Sequence, residues 1–464
     1  MTTPVSGNPP FILEAREDVS ARFPGSPRLH SFARAEWNGK WIFIAGRTGG
    51  YHGVGGAEAD FPRDRANARI WVIDPSGAGP ARTFSFPVAA LPDSLGAVKD
   101  QWMSSNLLFF QDRDILYLAG GYGQDSQHHW VTYPILSSVY LPSLVEGVMR
   151  GEDSFSRSIA FVKSPLVQVT GGELLKLDDG MFYIAGGQVF TGTYREFEGA
   201  DEKNSTKASQ TYIGEIRKLR VRRDTRGQLS VSLVDRYQNP EFARRDLNAG
   251  LTILPDGHSL GAAVYGGVFT KDQLSFAKPI YWSASRPPQV DNTYEQKMSA
   301  YACAKFLLFD PDSHTMYTTF FGGISRWTWD YRKKQAVIAP VVGDKTKPVY
   351  FDGMEWIDHI TTLIRRPQGT YEAVQPSERL AAYIGTNAVF FPTDDLRKIR
   401  EDAEVFDLKP LRGKRILAGY LYGGIRAFPR EFPYLDESPL YQSGNVPTKA
   451  NDMIIAVYVT VPPA

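Results

Sequence analysis

Basic and aromatic side chains cluster after a repeated feature of this sequence, a short apolar run that ends in a pair of glycines. Arginine presents a planar fork of N–H donors that matches carboxylate, sulfate or phosphate. Flat residues with a polar edge are common in small-ligand sites and can stack on a sugar. The candidate ligand-binding residues are Arg47, His52, Trp102, Tyr122, His128, Trp130, Arg195, Arg245, Arg326, Trp327 and Arg426. The pattern suits an anionic or glycan-like ligand. The alternative is that these are solvated loop charges paired with nearby acids, and rings that pack the loops.

Three carboxylates beside basic residues are the candidates for acid–base chemistry, namely Asp100, Asp246 and Glu378. General acid–base catalysis needs a group whose pKa is tuned by its neighbours. The alternative for each is a surface carboxylate that simply pairs with its basic neighbour. A buried carboxylate in the mouth of a channel would favour catalysis, whereas binding needs only cations and aromatic rings. We expect binding rather than turnover.

Metal and cofactor chemistry finds little support in the sequence. His128 and His129 are adjacent, but the chain has only 7 His and no second His or Cys cluster with useful spacing. Motifs for a nucleophilic serine, a phosphate-binding loop and a metalloprotease helix are absent. We therefore predict no metal and no cofactor. Cys303 is the single cysteine, so no intrachain disulfide forms, and its apolar setting predicts a buried, inert thiol.

The apolar run with its terminal glycines occurs six times and must position these side chains. The first glycines of the copies are Gly46, Gly120, Gly186, Gly266, Gly322 and Gly423, and Arg47 replaces the second glycine of the first copy. Tight turns such as Asn38-Gly39 and Asp178-Asp-Gly180 precede most copies. Asn-Gly and Asp-Gly favour hairpin turns, so each copy predicts a β-hairpin. Repetition at this scale indicates a propeller or a solenoid.

The two ends of the chain predict how such a propeller closes. Residues 1–10 read as a flexible lead, residues 11–17 as a lone strand, and Met453 to Val461 as the third strand of the last blade. The N-terminal strand can then supply the missing fourth strand and remove two open sheet edges. We predict an all-β fold in which residues 11–464 form a single six-bladed β-propeller with four-stranded antiparallel blades, closed by the N-terminal strand. Thr393 and the acids after it predict a helical insertion at about 392–413 in blade six.

The glycine-pair strand ends, the strands after them and the Asp-Pro after Trp71-Val-Ile resemble the kelch-repeat β-propellers of the galactose oxidase/kelch-like superfamily. The resemblance covers nearly the whole chain from residue 11 and is to divergent, bacterial-type members. It departs from the family pattern, since most copies lack the usual Tyr and Trp behind the glycines. The spacings between the first glycines of successive copies, 74, 66, 80, 56 and 101 residues, are also uneven. The resemblance implies that the loops after the glycines converge on one face around a central channel. It also makes a sugar mutarotase or epimerase conceivable, although no matching motif is present.

Composition bounds the remaining function classes. A net charge of +1 gives no global attraction to nucleic acid or to an anionic membrane. No apolar run reaches the roughly 18 residues of a membrane-spanning helix, and no secretory segment follows Met1. Cytoplasmic and exported locations both stay open. The leading hypothesis is a binding module for an anionic or glycan-like molecule or a protein partner. The alternatives are a carbohydrate isomerase, mutarotase or lyase, and a structural scaffold for protein–protein assembly that uses the 393–404 segment.

Overall fold

The computed structural model describes residues 8–51, 61–77, 79–193, 208–271, 274–338, 342–343, 350–351, 354–428 and 447–463. Its Cα positions divide into two compact units. The N-terminal unit is Ala21–Asp246, and the C-terminal unit is Leu247–Ala464 together with Met1–Ser20. The first strand, β1 (Ile12–Asp18), therefore belongs to the C-terminal unit. His52 and Arg195, and residues 1–7 of the predicted flexible lead, lie outside the described residues.

The N-terminal unit contains three four-stranded antiparallel sheets, each in simple meander order. The first sheet contains β2 (Ala33–Trp37), β3 (Lys40–Ile44), β4 (Arg69–Asp74) and β5 (Arg82–Pro87). Helix α1 (Gly96–Gln101) leads to the second sheet, which contains β6 (Leu108–Asp112), β7 (Ile115–Ala119), β10 (Ile135–Tyr140) and β11 (Ala160–Lys163). Between β7 and β10 lies a ribbon of β8 (Tyr122–Gln124) and β9 (Trp130–Thr132). Helix α2 (Leu141–Arg150) follows β10 and packs Leu144, Val145 and Val148 into the core.

The third sheet of this unit contains β12 (Glu173–Lys176), β13 (Phe182–Ala185), β16 (Glu215–Arg223) and β17 (Leu229–Gln238). A ribbon of β14 (Gln188–Thr191) and β15 (Ser209–Tyr212) lies between β13 and β16 along the chain. Short 3-10 helices connect these elements at Arg63–Arg65, Val88–Ala90, Asp93–Leu95, Ser154–Ser158, Pro165–Val167 and Pro240–Phe242.

The C-terminal unit begins with a four-stranded meander of β18 (Asn248–Ile253), β19 (Leu260–Tyr265), β20 (Ile280–Ser283) and β21 (Gln289–Val290). The next sheet is built on β22 (Ala304–Asp310), β23 (Thr315–Ser325), β28 (Glu355–Arg366) and β29 (Gly369–Arg379). Two ribbons lie between β23 and β28 along the chain, β24 (Trp327–Asp330) with β25 (Gln335–Ile338), and β26 (Val342–Gly343) with β27 (Tyr350–Phe351).

The last sheet contains β30 (Ala388–Pro392), β33 (Lys414–Gly423), β36 (Ile455–Val461) and the N-terminal strand β1. Between β30 and β33 lie β31 (Lys398–Arg400), β32 (Ala403–Asp407) and the 3-10 turn Lys409–Leu411. A ribbon of β34 (Ile425–Ala427) and β35 (Thr448–Ala450) precedes β36. Antiparallel pairing from Ile12 with Thr460 to Asp18 with Ile455 confirms that the N-terminal strand completes this sheet.

The glycine-pair strands are β3, β7, β13, β19, β23 and β33, and each pairs with the strand that precedes it in its hairpin. All six first glycines have positive φ, between 57° and 89°, and the second glycines of the five complete pairs have φ between 84° and 101°. Positive φ is a conformation that side-chain-bearing residues rarely adopt. The strand ends at the glycines in five copies, whereas β23 continues through Gly322 and Gly323 with a shift in register. The repeat was therefore interpreted correctly as one hairpin per blade-like sheet.

These sheets support the prediction of an all-β chain built from β-propeller blades. Five of them have four antiparallel strands, but the prediction of six such blades is wrong. The sheet of β22, β23, β28 and β29 continues through β32 and β31 and has six strands. The addition is a short parallel pairing of Leu308 and Phe309 with Phe406 and Asp407.

The same pairing corrects the prediction of a helical insertion at about 392–413. That segment forms the β31–β32 hairpin and the 3-10 turn, and contains no α-helix. Leu396, Ala403 and Phe406 are buried in the core of the C-terminal unit. The Phe406 ring lies 5.9 Å from that of Phe306. Packing against an open sheet edge outweighed the local helix-start signal of Thr393 and its following acids, because propensity is only a weak local preference.

Candidate ligand-binding sites

A cleft in the N-terminal unit brings together two of the predicted residues, Arg47 and Tyr122. It holds about 310 Å³ of empty space, counting the part open to solvent. The described residues that line it are Arg47, Phe61, Pro62, Arg63, Ala66, Met103, Ser105, Tyr122, Gly123 and Gln124. Two cations and two aromatic rings therefore share one wall with no Asp or Glu among these lining residues.

Arg47 occupies the place of the second glycine in the first copy and is held by backbone and ring contacts. Its backbone N–H and C=O pair with His30 at 2.9 and 3.0 Å, which fixes the chain after the glycine. The guanidinium lies 4.2 Å from the centre of the Phe61 ring, and the residue is only 5% exposed. A cation over an aromatic face is favourable, more so when it is desolvated. Arg47 is thus a largely dehydrated cation on the cleft wall.

Tyr122 anchors an aromatic group on the β8–β9 ribbon. Its hydroxyl donates a 2.6 Å hydrogen bond to the carbonyl of Gly192, which orients the ring. Trp130 stacks on it with a centroid distance of 5.8 Å, and Phe61 meets its edge at 5.5 Å. Tyr122 itself is buried and Trp130 is half-buried. Two predicted aromatic residues therefore do lie together, with Phe61 as a third that the sequence reasoning missed.

Asp100, one of the predicted catalytic acids, serves here as an acceptor for neighbouring loops. Its oxygens accept hydrogen bonds from Arg63 at 3.5 Å and from the backbone N–H and hydroxyl of Ser126, both at 3.1 Å. Arg63 also donates to the carbonyl of Gln124 on the cleft wall. The carboxylate therefore positions Arg63 and the turn after β8.

The prediction that Trp102 presents its ring to a ligand needs correction. Trp102 has no exposed surface and belongs to the hydrophobic core of the N-terminal unit. Its indole N–H donates to the Ser137 hydroxyl at 3.1 Å, and Ser137 donates to Gln101 at 2.7 Å. A side chain that is fully enclosed and hydrogen-bonded in this way has a packing role.

Two other predicted residues of this unit, Arg245 and His128, are not among the residues that line the cleft. Arg245 is buried and donates to the Asp246 carboxylate at 2.9 Å, so this cation and this candidate acid neutralise each other. His128 is exposed at positive φ in the turn between β8 and β9.

In the C-terminal unit, the predicted residues after the glycine pairs also have close partners. Trp327 lies under Lys297, whose ammonium is 5.3 Å from its ring, and Arg326 beside it is half-buried. Arg426 donates to Asp452 at 3.1 Å, and its guanidinium lies 5.1 Å from the Phe428 ring. The third candidate acid, Glu378, forms an ion pair with Arg16 at 3.6 Å. These pairs reduce the free positive charge that the sequence suggested.

A buried polar cluster in the same unit was missed by the sequence reasoning. Asp358 and His359, adjacent on β28, are both buried, and Asp358 pairs with Arg379 at the end of β29. The Arg379 guanidinium lies 4.5 Å from the centre of the Tyr331 ring. The signal was a charged Asp-His pair inside the apolar run Trp356 to Ile364, where a buried strand would be expected to carry neither residue.

His359 is held as a neutral ring by its surroundings. Burial, with a smaller effect of Arg379, lowers the pKa of its imidazole to about 3. Its Nε2 accepts from the backbone N–H of Trp329 at 2.8 Å, so the single proton of the neutral ring lies on Nδ1. Nδ1 is 2.8 Å from the Tyr331 hydroxyl and therefore donates to it.

Burial differs between the two members of the Asp358–Arg379 ion pair. Burial raises the pKa of the Asp358 carboxyl above its usual range, although the bond and the charge of Arg379 act in the opposite direction. The Asp358 side chain is 8% exposed and that of Arg379 is 44% exposed, so the cost of desolvation falls mainly on the acid. Its Oδ1 is sealed from solvent and, among the described residues, receives no hydrogen bond.

Burial also raises the pKa of the Cys303 thiol to about 11, which fits the inert thiol expected there. Within the described part of the chain, no group of three or more His, Cys, Asp or Glu side chains is placed to hold a metal ion. Over the same ranges, no helix is long and apolar enough to cross a membrane.

The sheets and their glycine turns define this chain as an all-β protein of propeller-type blades. No protein-family model and no curated protein matches its sequence. Among solved structures, it is similar to one titled "Structure of YjhT", with 11% identity and a TM-score of 0.47. That match covers 88% of this chain and 98% of the other.

Proposed function

We propose that the protein is a kelch-type β-propeller that binds an anionic, glycan-like small molecule in the cleft of its N-terminal unit. The observation that carries this proposal is Arg47, a buried guanidinium seated on the Phe61 ring beside Tyr122. A sugar acid has both features that such a wall recognises, a carboxylate for the cation and a flat ring face for the aromatic residues.

Burial of Arg47 makes its contact with an anion more effective. A cation that is largely desolvated interacts more strongly with an opposite charge than one in bulk water, because the local dielectric is lower. Arg63 provides a second guanidinium on the same wall, held in place by Asp100. Two guanidinium groups on one wall favour a ligand rich in oxygen acceptors.

Calorimetric titration with glucuronate and with glucose tests the proposal. We expect glucuronate to bind and glucose to bind at least tenfold more weakly, because a hydrogen bond to a charged group contributes about 1.5–3 kcal/mol. Arg47→Met keeps the length of the side chain, removes the charge, and should weaken glucuronate binding about tenfold or more.

Arg82→Met is the matched control, since Arg82 is a 64% exposed arginine of the same unit that pairs with Asp74. It should leave glucuronate affinity unchanged. Equal losses in the two variants would refute a role for the cleft, as would equal affinities of the wild type for the acid and the neutral sugar.

A further inference from the structure

Two tyrosine hydroxyls in the C-terminal unit each have a proton left to donate. The Tyr331 oxygen accepts from Nδ1–H of His359, so its own O–H must point elsewhere. The Tyr383 oxygen is hydrogen-bonded by the Arg379 side chain, which has only donors, so the same holds for Tyr383. Both phenols are half-buried and stay protonated at neutral pH, because burial raises the pKa of each.

Arg379 joins these two hydroxyls into one donor group. Its guanidinium lies over the Tyr331 ring at 4.5 Å and bonds the Tyr383 side chain, while the side chain remains 44% exposed. Three donor side chains, two phenols and one guanidinium, are therefore linked through Arg379, which is partly open to solvent. Such a set is complementary to an oxyanion.

We propose that Arg379, Tyr331 and Tyr383 form a second anion site, for a carboxylate or another oxyanion, and that Asp358 gates it by competing for Arg379. This inference goes beyond the proposed function because it concerns the other unit and adds dependence on acid. Asp358 is the gate and not a catalytic base, since its Oδ1 is sealed from solvent and lies 3.3 Å from Nδ1 of His359.

The direction of the gate follows from the charges around Asp358. When the carboxyl takes up a proton, its attraction for Arg379 falls and the guanidinium is released to an external anion. The other ionisable groups around it are Glu355 and His359 on β28, Glu378 and Arg379 on β29, Arg16 on β1, and Tyr331 and Tyr383. His359 stays neutral above about pH 3 and the tyrosines keep their protons. Glu378 pairs with Arg16 and not with Arg379.

Titration of the full chain with sulfate at pH 7.5 and pH 4.5 tests the gate, because sulfate keeps its charge across this range. We expect wild-type affinity to rise at least fivefold at the lower pH. Asp358→Asn should raise the affinity at pH 7.5 to at least the wild-type value at pH 4.5, and Tyr331→Phe should lower the affinity at pH 4.5 at least threefold. Glu378→Gln removes one negative charge from the adjacent strand end and should change affinity less than twofold.

The variant Arg379→Gln distinguishes sulfate binding at this site from sulfate binding elsewhere on the chain. The rise in affinity at low pH should be lost in this variant. If Asp358→Asn fails to fold, as judged by circular dichroism, the wild type and Arg379→Gln still decide the question. A wild-type affinity that is equal at the two pH values, or a rise that persists in Arg379→Gln, would overturn the proposal.

Discussion

Replacement of Gly120 by alanine tests whether the glycine pairs set the path of the chain. Gly120 follows β7 with a φ of 63°. A Cβ atom built on it would lie 1.8 Å from the carbonyl oxygen of Val169. Neither the conformation nor the space tolerates a methyl group, and the obstacle is backbone rather than a flexible side chain.

The loss of unfolding free energy in Gly120→Ala has a conformational part and a steric part. Substitution of a second glycine, Gly180, measures the conformational part alone. Positive φ costs a residue with a side chain about 1–2 kcal/mol. A backbone that must move by more than about 1 Å in a close-packed region adds a further cost, so we expect a total above about 4 kcal/mol, the range of exceptional mutations. Gly180 lies in a turn of the same unit at a φ of 74°, and a Cβ atom built on it would meet no atom of the described residues within 4 Å. Gly180→Ala should therefore lose only the conformational part.

Urea unfolding followed by tryptophan fluorescence measures both variants. The unfolding midpoint should fall far more for Gly120→Ala than for Gly180→Ala, at an unchanged slope. Equal midpoint shifts in the two variants would refute the steric reasoning, because they would show that Val169 moves at no cost.

Three further substitutions test other parts of the structure. Trp102→Ala should cost about 3–5 kcal/mol of unfolding free energy as a large core residue, whereas a surface ring would change it by no more than about 0.5 kcal/mol; urea unfolding distinguishes them. Phe406→Ala should likewise lower the free energy of unfolding by about 3–5 kcal/mol. Lys398→Ala, on the exposed side of the same hairpin, should leave it nearly unchanged. Similar small effects of the two substitutions would mean that the hairpin is not packed against the core. Partial burial tends to raise the pKa of Asp256, but hydrogen bonds from Ser259 and His258 lower it to about 2, so its charge stabilises the fold above about pH 4. Asp256→Asn should therefore lower stability at pH 7 by less than about 1 kcal/mol, because Asp256 is exposed and solvent screens its charge. The difference should disappear as the pH falls toward 2, and a difference that grows at low pH would contradict this.

The repeat made most of the fold predictable. Each glycine-pair run combines strand-forming residues, a turn before it and a residue after it that must adopt positive φ, and all of this is local information. The completion of the last sheet by β1 was also predictable, because the C-terminal strand left one position open. The six-stranded sheet was not, since its parallel contact between Leu308 and Phe406 joins segments about a hundred residues apart and has no local signal.

The site was predictable only in part, because residue type does not reveal burial or pairing. Arg47 replaces the second glycine of its copy and Tyr122 directly follows a glycine pair, and both line the cleft. Trp102 has the same flat ring but lies at the end of α1, where it faces the core. The Asp358–Arg379 pair depends on the register of β28 and β29, which places His359 opposite Arg379. A charged pair within an apolar strand was its only trace.

Structure determination of crystals soaked with glucuronate tests the central claim, that the N-terminal cleft binds an anionic sugar, most directly. We predict density for the sugar in the cleft, with its carboxylate within hydrogen-bonding distance of the guanidinium of Arg47 or Arg63 and its ring against Phe61 or Tyr122. Density for the sugar elsewhere, with the cleft empty although calorimetry shows binding, would contradict the account.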